Sequence, residues 1–595
     1  MKNLFVILFC LCMAQNSQAQ DSILAKGFVY DETGNRLPGA NLIEKGTSHS
    51  TYTDSTGYFE FSVTKHTILC AFVGYSSKTV EVENGKTLHI RLEPDSYTLD
   101  EVVVVGYGVQ RKKASQGNFT QVSPAYEEYA HVRENGFIST QNQALTTFAA
   151  DVDRASYSNI RRFINSGNLP PKDAVRIEEM INYFDYDYKL PSPNEALLIE
   201  TTLSSSPFNE DLELLRVSLQ TPKMEVDNLP PSNLVFLVDV SGSMQSANKL
   251  PLLKKSFQLL VSQLREQDRV ALVTYAGHTH VALASTSGKE KEKIMAALDA
   301  LEASGSTAGA SGIELAYAEA ENHLLKKGNN RVILATDGDF NVGVSSVSGL
   351  EKLIEAKRQS GIFLSVLGFG MGNYKDEQME TLADKGNGNY NYIDNLQEAR
   401  KVFIREFGGT LYTVAKDVKI QIEFNPALVA AYRLIGYENR LLNAEDFEDD
   451  NKDAGDLGSG HTMTALYEII PQGVDSPYLS HLPKLKYTRP SQDPIELMHL
   501  KIRYKKPSEK KSTKLEMPVK KVLIPWETVD NDFRFSAAVA EFGLLLKDSA
   551  YKGGSNFTHL LSEAQKAKGQ DTEGQRSEFI QLAKLAEKLN QTLYK

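Results

Sequence analysis

Residues 234–244 read LVFLVDVSGSM, and their reading decides the fold. The first part is an apolar run rich in β-branched and aromatic side chains, the mark of a strand buried on both faces. At its C-terminal end Asp239, Ser241 and Ser243 fall on every second residue, with Gly242 between the serines. A chain that leaves a strand and turns through that glycine can aim one carboxylate and two hydroxyls at a single point. Three small oxygen donors suit a hard divalent cation, and in open α/β sheets ligands bind at the C-terminal ends of the strands. Asp and Ser are also ordinary turn and N-cap residues, so the motif carries weight only with support from the rest of the chain.

That support lies downstream. Residues 331–339, RVILATDGD, form a second buried strand ending in Asp337-Gly338, and Gly305-Ser306-Thr307 make a small-residue loop between the two. Apolar periodicity predicts strands at 234–239, 269–276, 280–284, 331–336, 362–369 and 390–393. It predicts helices at 250–264, 289–302, 310–326, 346–360, 375–385 and 396–407. Strands alternating with helices define a doubly wound α/β sheet over residues 230–408.

The Asp-x-Ser-x-Ser run resembles the metal-ion-dependent adhesion site of von Willebrand factor type A domains. The resemblance extends to Thr307 as the fourth residue of that site and Asp337 as the fifth. It implies that Ser241, Ser243 and Thr307 ligate an ion directly or through water, while Asp239 and Asp337 act partly through waters. Mg²⁺ is the expected ion, with Mn²⁺ and Ca²⁺ as alternatives, because it keeps waters in an octahedral shell. The open position is expected to take an Asp or Glu carboxylate of a protein partner. Asp339 would tune the choice of partner by its charge. A catalytic reading needs a nucleophile with a base, or an acid–base pair, beside the ion. Apart from Asp339, no such group is near in sequence, so no enzyme is expected.

Composition narrows the partners. The 595 residues carry a formal charge of −11, which argues against nucleic acid or an anionic membrane surface. Lys2, the apolar residues 4–14 and Ser17-Gln18-Ala19 read as a signal peptide over residues 1–20. No convincing lipobox precedes Cys10 or Cys12, so a soluble exported form is expected over a lipoprotein, with no transmembrane helix. The expected location is the periplasm, the outer-membrane surface or the exterior of a Gram-negative cell. Beyond the signal only Cys70 remains, and one cysteine makes no intramolecular disulfide.

Residues 22–94 alternate and turn like a small β-sandwich. Gly27-Phe28-Val29, Pro38-Gly39-Ala40, the Asp54, Gly57, Tyr58, Phe59 run and Val73-Gly74-Tyr75 make it similar to carboxypeptidase regulatory-like domains, which are prealbumin-like all-β sandwiches. Residues 99–108, LDEVVVVGYG, resemble the segment that follows this domain in TonB-dependent receptors, and otherwise read as an edge strand. A receptor barrel would need many alternating strands downstream, which are absent from the sequence. Residues 95–145 are expected to be an edge strand and linker; His131 and Glu134 within them match a His-x-x-Glu, read as chance because no third ligand is apparent.

Residues 146–229 begin with helices, one capped by Ser156 and running to Ser166, another from Asp173 to Phe184, followed by strands. Asp151 and Asp153 are expected to cap and salt-bridge. Strands return over 409–528, so one β-sandwich built from both flanks, with the α/β domain inserted, is inferred. Both flanks are similar to the bacterial YfbK-like family. The acidic run 445–456 lacks the glycine and closing glutamate of a calcium loop at the required spacing. His278 and His280 read as exposed hairpin residues. Residues 529–595 have helical periodicity and are expected to form a helical region. Two functions follow: a metal-dependent adhesion or scaffold protein, or an accessory subunit of a cell-envelope assembly or uptake machine. In either, helix 396–407 is where movement of the α/β domain would be transmitted.

Overall fold

The computed structural model describes residues 23–93, 127–479 and 495–593, apart from 32–33, 35, 38–39, 46–49, 55, 65, 72–77, 84, 151–152, 193–194, 225–228, 306–308, 339–346, 372–373, 407–411, 508 and 510. The signal-peptide region and the 99–108 segment lie outside the described residues.

Among the described residues the N-terminal unit has seven strands: β1 (Ile23–Tyr30), β2 (Asn41–Glu44), β3 (Ser50–Tyr52), β4 (Tyr58–Val63), β5 (Thr67–Ala71), β6 (Lys78–Glu81) and β7 (Thr87–Arg91). They form two sheets, β4-β1-β7 and β3-β2-β5-β6. Alternate residues of β1 point inward, so Ala25 and Val29 meet Leu42, Phe59, Ile68 and Ile90 in one core.

The second unit opens with β8 (Ile138–Ser139) and β9 (Leu145–Ala149), then helices α1 (Ala155–Asn165) and α2 (Ile177–Asn182), then β10 (Leu198–Ser205) and β11 (Glu213–Gln220). The α/β domain follows with β12 (Ser232–Asp239), α3 (Leu250–Gln263), β13 (Arg269–Tyr275), β14 (His280–Ser287), α4 (Lys291–Asp299), α5 (Gly309–Asn322) and β15 (Asn329–Thr336). It continues with α6 (Val347–Gln359), β16 (Ile362–Phe369), α7 (Asp376–Lys385), β17 (Tyr390–Ile393) and α8 (Leu396–Arg400). Then come β18 (Thr413–Phe424), β19 (Val429–Ile435), β20 (Gly455–Gly458), β21 (Thr462–Pro471), β22 (Glu496–Lys505), β23 (Thr513–Lys520) and β24 (Leu523–Ile524). Helices α9 (Asn531–Lys547), α10 (Phe557–Lys566) and α11 (Gln575–Leu593) end the chain.

The α/β sheet has the order β14-β13-β12-β15-β16-β17, parallel except for β14. Strand β12 is buried on both faces, as its apolar run requires. Leu234, Phe236 and Val238 pack with α3 and α4, whereas Val235 and Leu237 pack with α5 and α6.

Strands from before and after this domain share two further sheets. One has the order β24-β10-β11-β21-β19-β8; the other is β20-β18-β22-β23, with β9 also paired to β18. Leu215, Val217, Tyr432 and Tyr467 of the first meet Ile420, Ile422, Leu500 and Ile502 of the second in a common core. The α/β domain is therefore an insertion in a β-sandwich. Where the chain enters and leaves it, the Ser232 and Tyr412 hydroxyls are 2.5 Å apart. Helices α1, α2, α9, α10 and α11 share a separate core around Tyr157, Ile177, Phe184, Phe535 and Phe579.

Several local expectations change. The linker assigned up to residue 145 already contains β8 and the start of β9. Ser156 is not an N-cap: it lies within α1, where its hydroxyl donates to the Ala174 carbonyl at 2.7 Å and its amide to Glu179. The helix expected from Asp173 is broken at Arg176, whose extended backbone aims its guanidinium at Asp376, Glu380 and Glu179. A buried four-group ion cluster wins over helical continuity there. Helix α8 passes into a π-turn, Lys401–Arg405, instead of staying α-helical to residue 407.

Candidate metal site

The chain runs from β12 to β13 on one side of the sheet and returns through α5 to β15 on the other. The crevice between β12 and β15 is therefore the switch point, where a doubly wound sheet offers its ligand site. Asp239 ends β12 and Asp337 immediately follows β15, so the paired strands carry two carboxylates to the same edge.

Asp239 is fully buried. Its Oδ1 accepts from the Ser241 amide at 2.8 Å, and its Oδ2 from the Thr336 hydroxyl at 3.3 Å. Burial pushes its carboxyl up to about 6, against the pull of the Ser241 hydrogen bonds; Asp337 pushes it further and the Tyr275 hydroxyl opposes. Ser241 leads the 3₁₀ turn Gly242–Gln245, and its hydroxyl stands 3.0 Å from that of the exposed Ser243. The turn is docked on the loop that leads to Thr307: the Gly242 amide donates to the Gly305 carbonyl at 3.1 Å, and the Ser304 amide to the Val240 carbonyl at 2.7 Å. Gly305 has φ +82°, and a Cβ there would lie 3.1 Å from the Gly277 amide, so glycine is required. Asp337 is buried and accepts from the Lys249 ammonium at 2.8 Å.

The structure thus brings Asp239, Ser241, Ser243 and Asp337 to one strand-end crevice. Thr307 and Asp339 lie outside the described residues. Among the described residues no three His, Cys, Asp or Glu side chains gather as a metal cluster. The crevice offers two carboxylates and hydroxyls, an oxygen-only set. That chemistry fits a hard cation that keeps part of its water shell, and buried negative charge at Asp239 favours a cation beside it.

Most of the other described sequence candidates are occupied by structural partners. His131 contacts Asp173 at 3.1 Å, while Glu134 accepts from Arg433 and Ser549. Asp153 accepts from the Tyr390 amide and pairs with Arg440; Asp151 lies outside the described residues. In the acidic run Asp446 and Asp449 accept from nearby Asn443 and Asn451, and Asp450 pairs with Arg503. His278 and His280 are exposed and line a groove of about 540 Å³ beside Ser304 and Gly305. Sequence reasoning missed Thr336, Tyr275 and Lys249. Lys249 left one trace: a lysine just before a helix, at the end where the dipole disfavours a cation.

These strand ends and the doubly wound sheet define a von Willebrand factor type A domain protein, and that family matches residues 233–404. The carboxypeptidase regulatory-like family matches residues 25–104, a von Willebrand factor family matches residues 123–216, and the YfbK C-terminal family matches residues 409–589. The chain is 44% identical over 485 residues to the uncharacterised protein YfbK of Escherichia coli K12, covering 80% of this chain and 84% of that one. It belongs to the YfbK family. Its N-terminal part is 37% identical over 103 residues to the TonB-dependent receptor SusC of Bacteroides thetaiotaomicron, covering 17% of this chain and 10% of the receptor. Among solved structures, a von Willebrand factor type A protein from Catenulispora acidiphila aligns with a TM-score of 0.37 at 14% identity, covering 64% of this chain and 89% of that one.

Proposed function

We propose that this protein is an exported, metal-dependent binding protein that captures an acidic side chain of a partner protein. A von Willebrand A domain points to protein–protein interaction in general; the finer reading rests on the crevice. Its main support is the pair of buried carboxylates, Asp239 and Asp337, at the switch point of the sheet. Asp239, Ser241, Ser243, Thr307 and Asp337 would hold Mg²⁺, and Asp339 would face the partner. The ion would supply an electron-poor position for a carboxylate oxygen. The chain's own residues bury Asp239, Ser241 and Asp337, leave Ser243 open to solvent, fix the turn and supply few direct negative charges. This is binding chemistry, and we propose no catalytic group.

The test is a calorimetric titration of the full chain with Mg²⁺ and with Mn²⁺, comparing wild type with Asp239→Ala and Ser243→Ala. Saturable binding in wild type that is lost in both variants supports the reading. Binding unaffected by both removes it.

A second reading, an accessory subunit of an envelope assembly or uptake machine, draws on the N-terminal likeness to TonB-dependent receptors. No helix among the described residues is long and apolar enough to cross a membrane. Loss of outer-membrane association on deleting residues 22–108 would favour this reading.

A further inference from the structure

The Lys249 side chain is built into the crevice, with its ammonium on Asp337. Its backbone is fixed at the start of α3: its amide donates to the Ser246 carbonyl at 2.9 Å, and its carbonyl accepts from Leu253 at 2.8 Å. The stem runs across Gly370, which has φ +78°; a Cβ there would lie 2.6 Å from Lys249 Cγ. The side chain is only 13% exposed, and its ammonium meets the buried Asp337 carboxylate at 2.8 Å. A cation at this end of a helix opposes the macrodipole. Helix stability therefore does not account for a lysine here, while the carboxylate across the crevice does.

We infer that Lys249 is a tethered counter-cation that competes with the divalent ion for Asp337 and so sets how tightly the site binds metal. This rests on the metal-site reading above. A divalent ion held by Asp239, Ser241, Ser243 and Asp337 would face an ammonium already paired to one of its own carboxylates. The two positive charges repel, and the repulsion grows as the crevice excludes water. Ion binding therefore requires Lys249 to give up Asp337. Since Lys249 follows Ser243 by six residues and immediately precedes α3, its release carries ion occupancy into that helix. By linkage, whatever draws Lys249 out of the crevice tightens ion binding by the same factor.

The test uses the full chain, freed of divalent ions by chelation and titrated with MgCl₂. Variants are Lys249→Met and Lys249→Gln, with Lys249→Arg as the charge-conserving control. Expected is a Kd for Mg²⁺ tightened about tenfold or more in the Met and Gln variants and little changed in the Arg variant. A second readout is thermal melting. Without ions the Met and Gln variants melt below wild type, because the Lys249 ammonium no longer offsets the buried Asp337 charge, and Mg²⁺ raises their melting temperature by more than it raises that of wild type. Binding to wild type with the same or weaker affinity in both neutral variants overturns the inference and leaves the metal site standing. No binding to wild type or to either neutral variant overturns the metal site itself.

Discussion

Arg161 is the side chain whose removal should do most damage to the way the A domain is held. It lies on α1, about 1% exposed, and its guanidinium donates to four side chains from other parts of the chain. It forks onto Asp394, just after β17, at 2.5 and 2.8 Å, and reaches Glu398 of α8 at 2.6 Å. It also donates to the Tyr183 hydroxyl at 3.0 Å and to Glu578 of α11 at 3.1 Å. Arg161→Met keeps the apolar stem and leaves the side chains of Asp394 and Glu398, 8% and 3% exposed, without their cation. Breaking a buried pair by deleting one partner costs about 3–5 kcal/mol, because the remaining charge cannot be solvated. A chain of several domains has no single unfolding free energy, so the assay is native-state hydrogen exchange on peptides from α1, β17, α8 and α11. Their opening free energies should fall together by that amount, while the N-terminal unit keeps its own. Orphaned carboxylates take up protons more readily than paired ones, so the deficit should shrink as pH falls. Adding Asp394→Asn and Glu398→Gln to Arg161→Met should restore much of the loss. A change below about 1 kcal/mol, or one spread evenly over the chain, would refute the hub.

Two further outcomes follow from buried groups. Burial holds His461 at about 3, and its Nδ1 accepts from the Gly458 amide at 3.2 Å. The unfolded chain takes up a proton near pH 6.5 and the folded chain resists it, so this stability is full above pH 6.5 and declines toward pH 3. The decline amounts to at most about 5 kcal/mol, and His461→Asn should flatten the acid limb of a stability-versus-pH curve relative to wild type. Burial also pushes the Cys70 thiol up to about 12. Cys70 should therefore resist a thiol reagent at mildly alkaline pH in the native protein and react fully in concentrated guanidinium chloride; native reactivity would contradict its burial in the N-terminal core.

Most of the architecture was legible because periodicity reports burial. The two-face burial of β12 is written in LVFLV, and the split sandwich in the return of strands after the α/β domain. What escaped was set by partners distant in sequence. Arg176 breaks a helix to meet Asp376 and Glu380, 200 and 204 residues away. Ser156 looks like a cap, yet bonds Ala174. At the site, Asp239, Ser241 and Ser243 announce themselves by spacing, whereas Lys249 has meaning only once β15 is seen beside β12.

These long-range pairs also limit what the A domain can do. Helix 396–407 was expected to carry movement to the sandwich, but its described part is clamped: Glu398 by Arg161, Lys401 by the Tyr183 carbonyl, and Glu406 by Arg154. At the same C-terminal edge of the sheet, the segment entering this unit is tied down too, with Glu128 bonded through its backbone to Tyr374 and Asp376. The β16–β17 half of that edge is therefore tied down at Tyr374, Asp376 and α8. The β12–β13 half is not: Gly277, His278, His280, Ser243 and Gly305 are exposed around the crevice. Ion binding should then register where the structure is free to respond. Mg²⁺ is expected to slow amide exchange in peptides covering 240–250 and 302–306 and to leave 390–405 unchanged. Protection rising in 390–405 to the same extent would mean that the ion pairs of α8 rearrange with the site, and that the clamp is a switch.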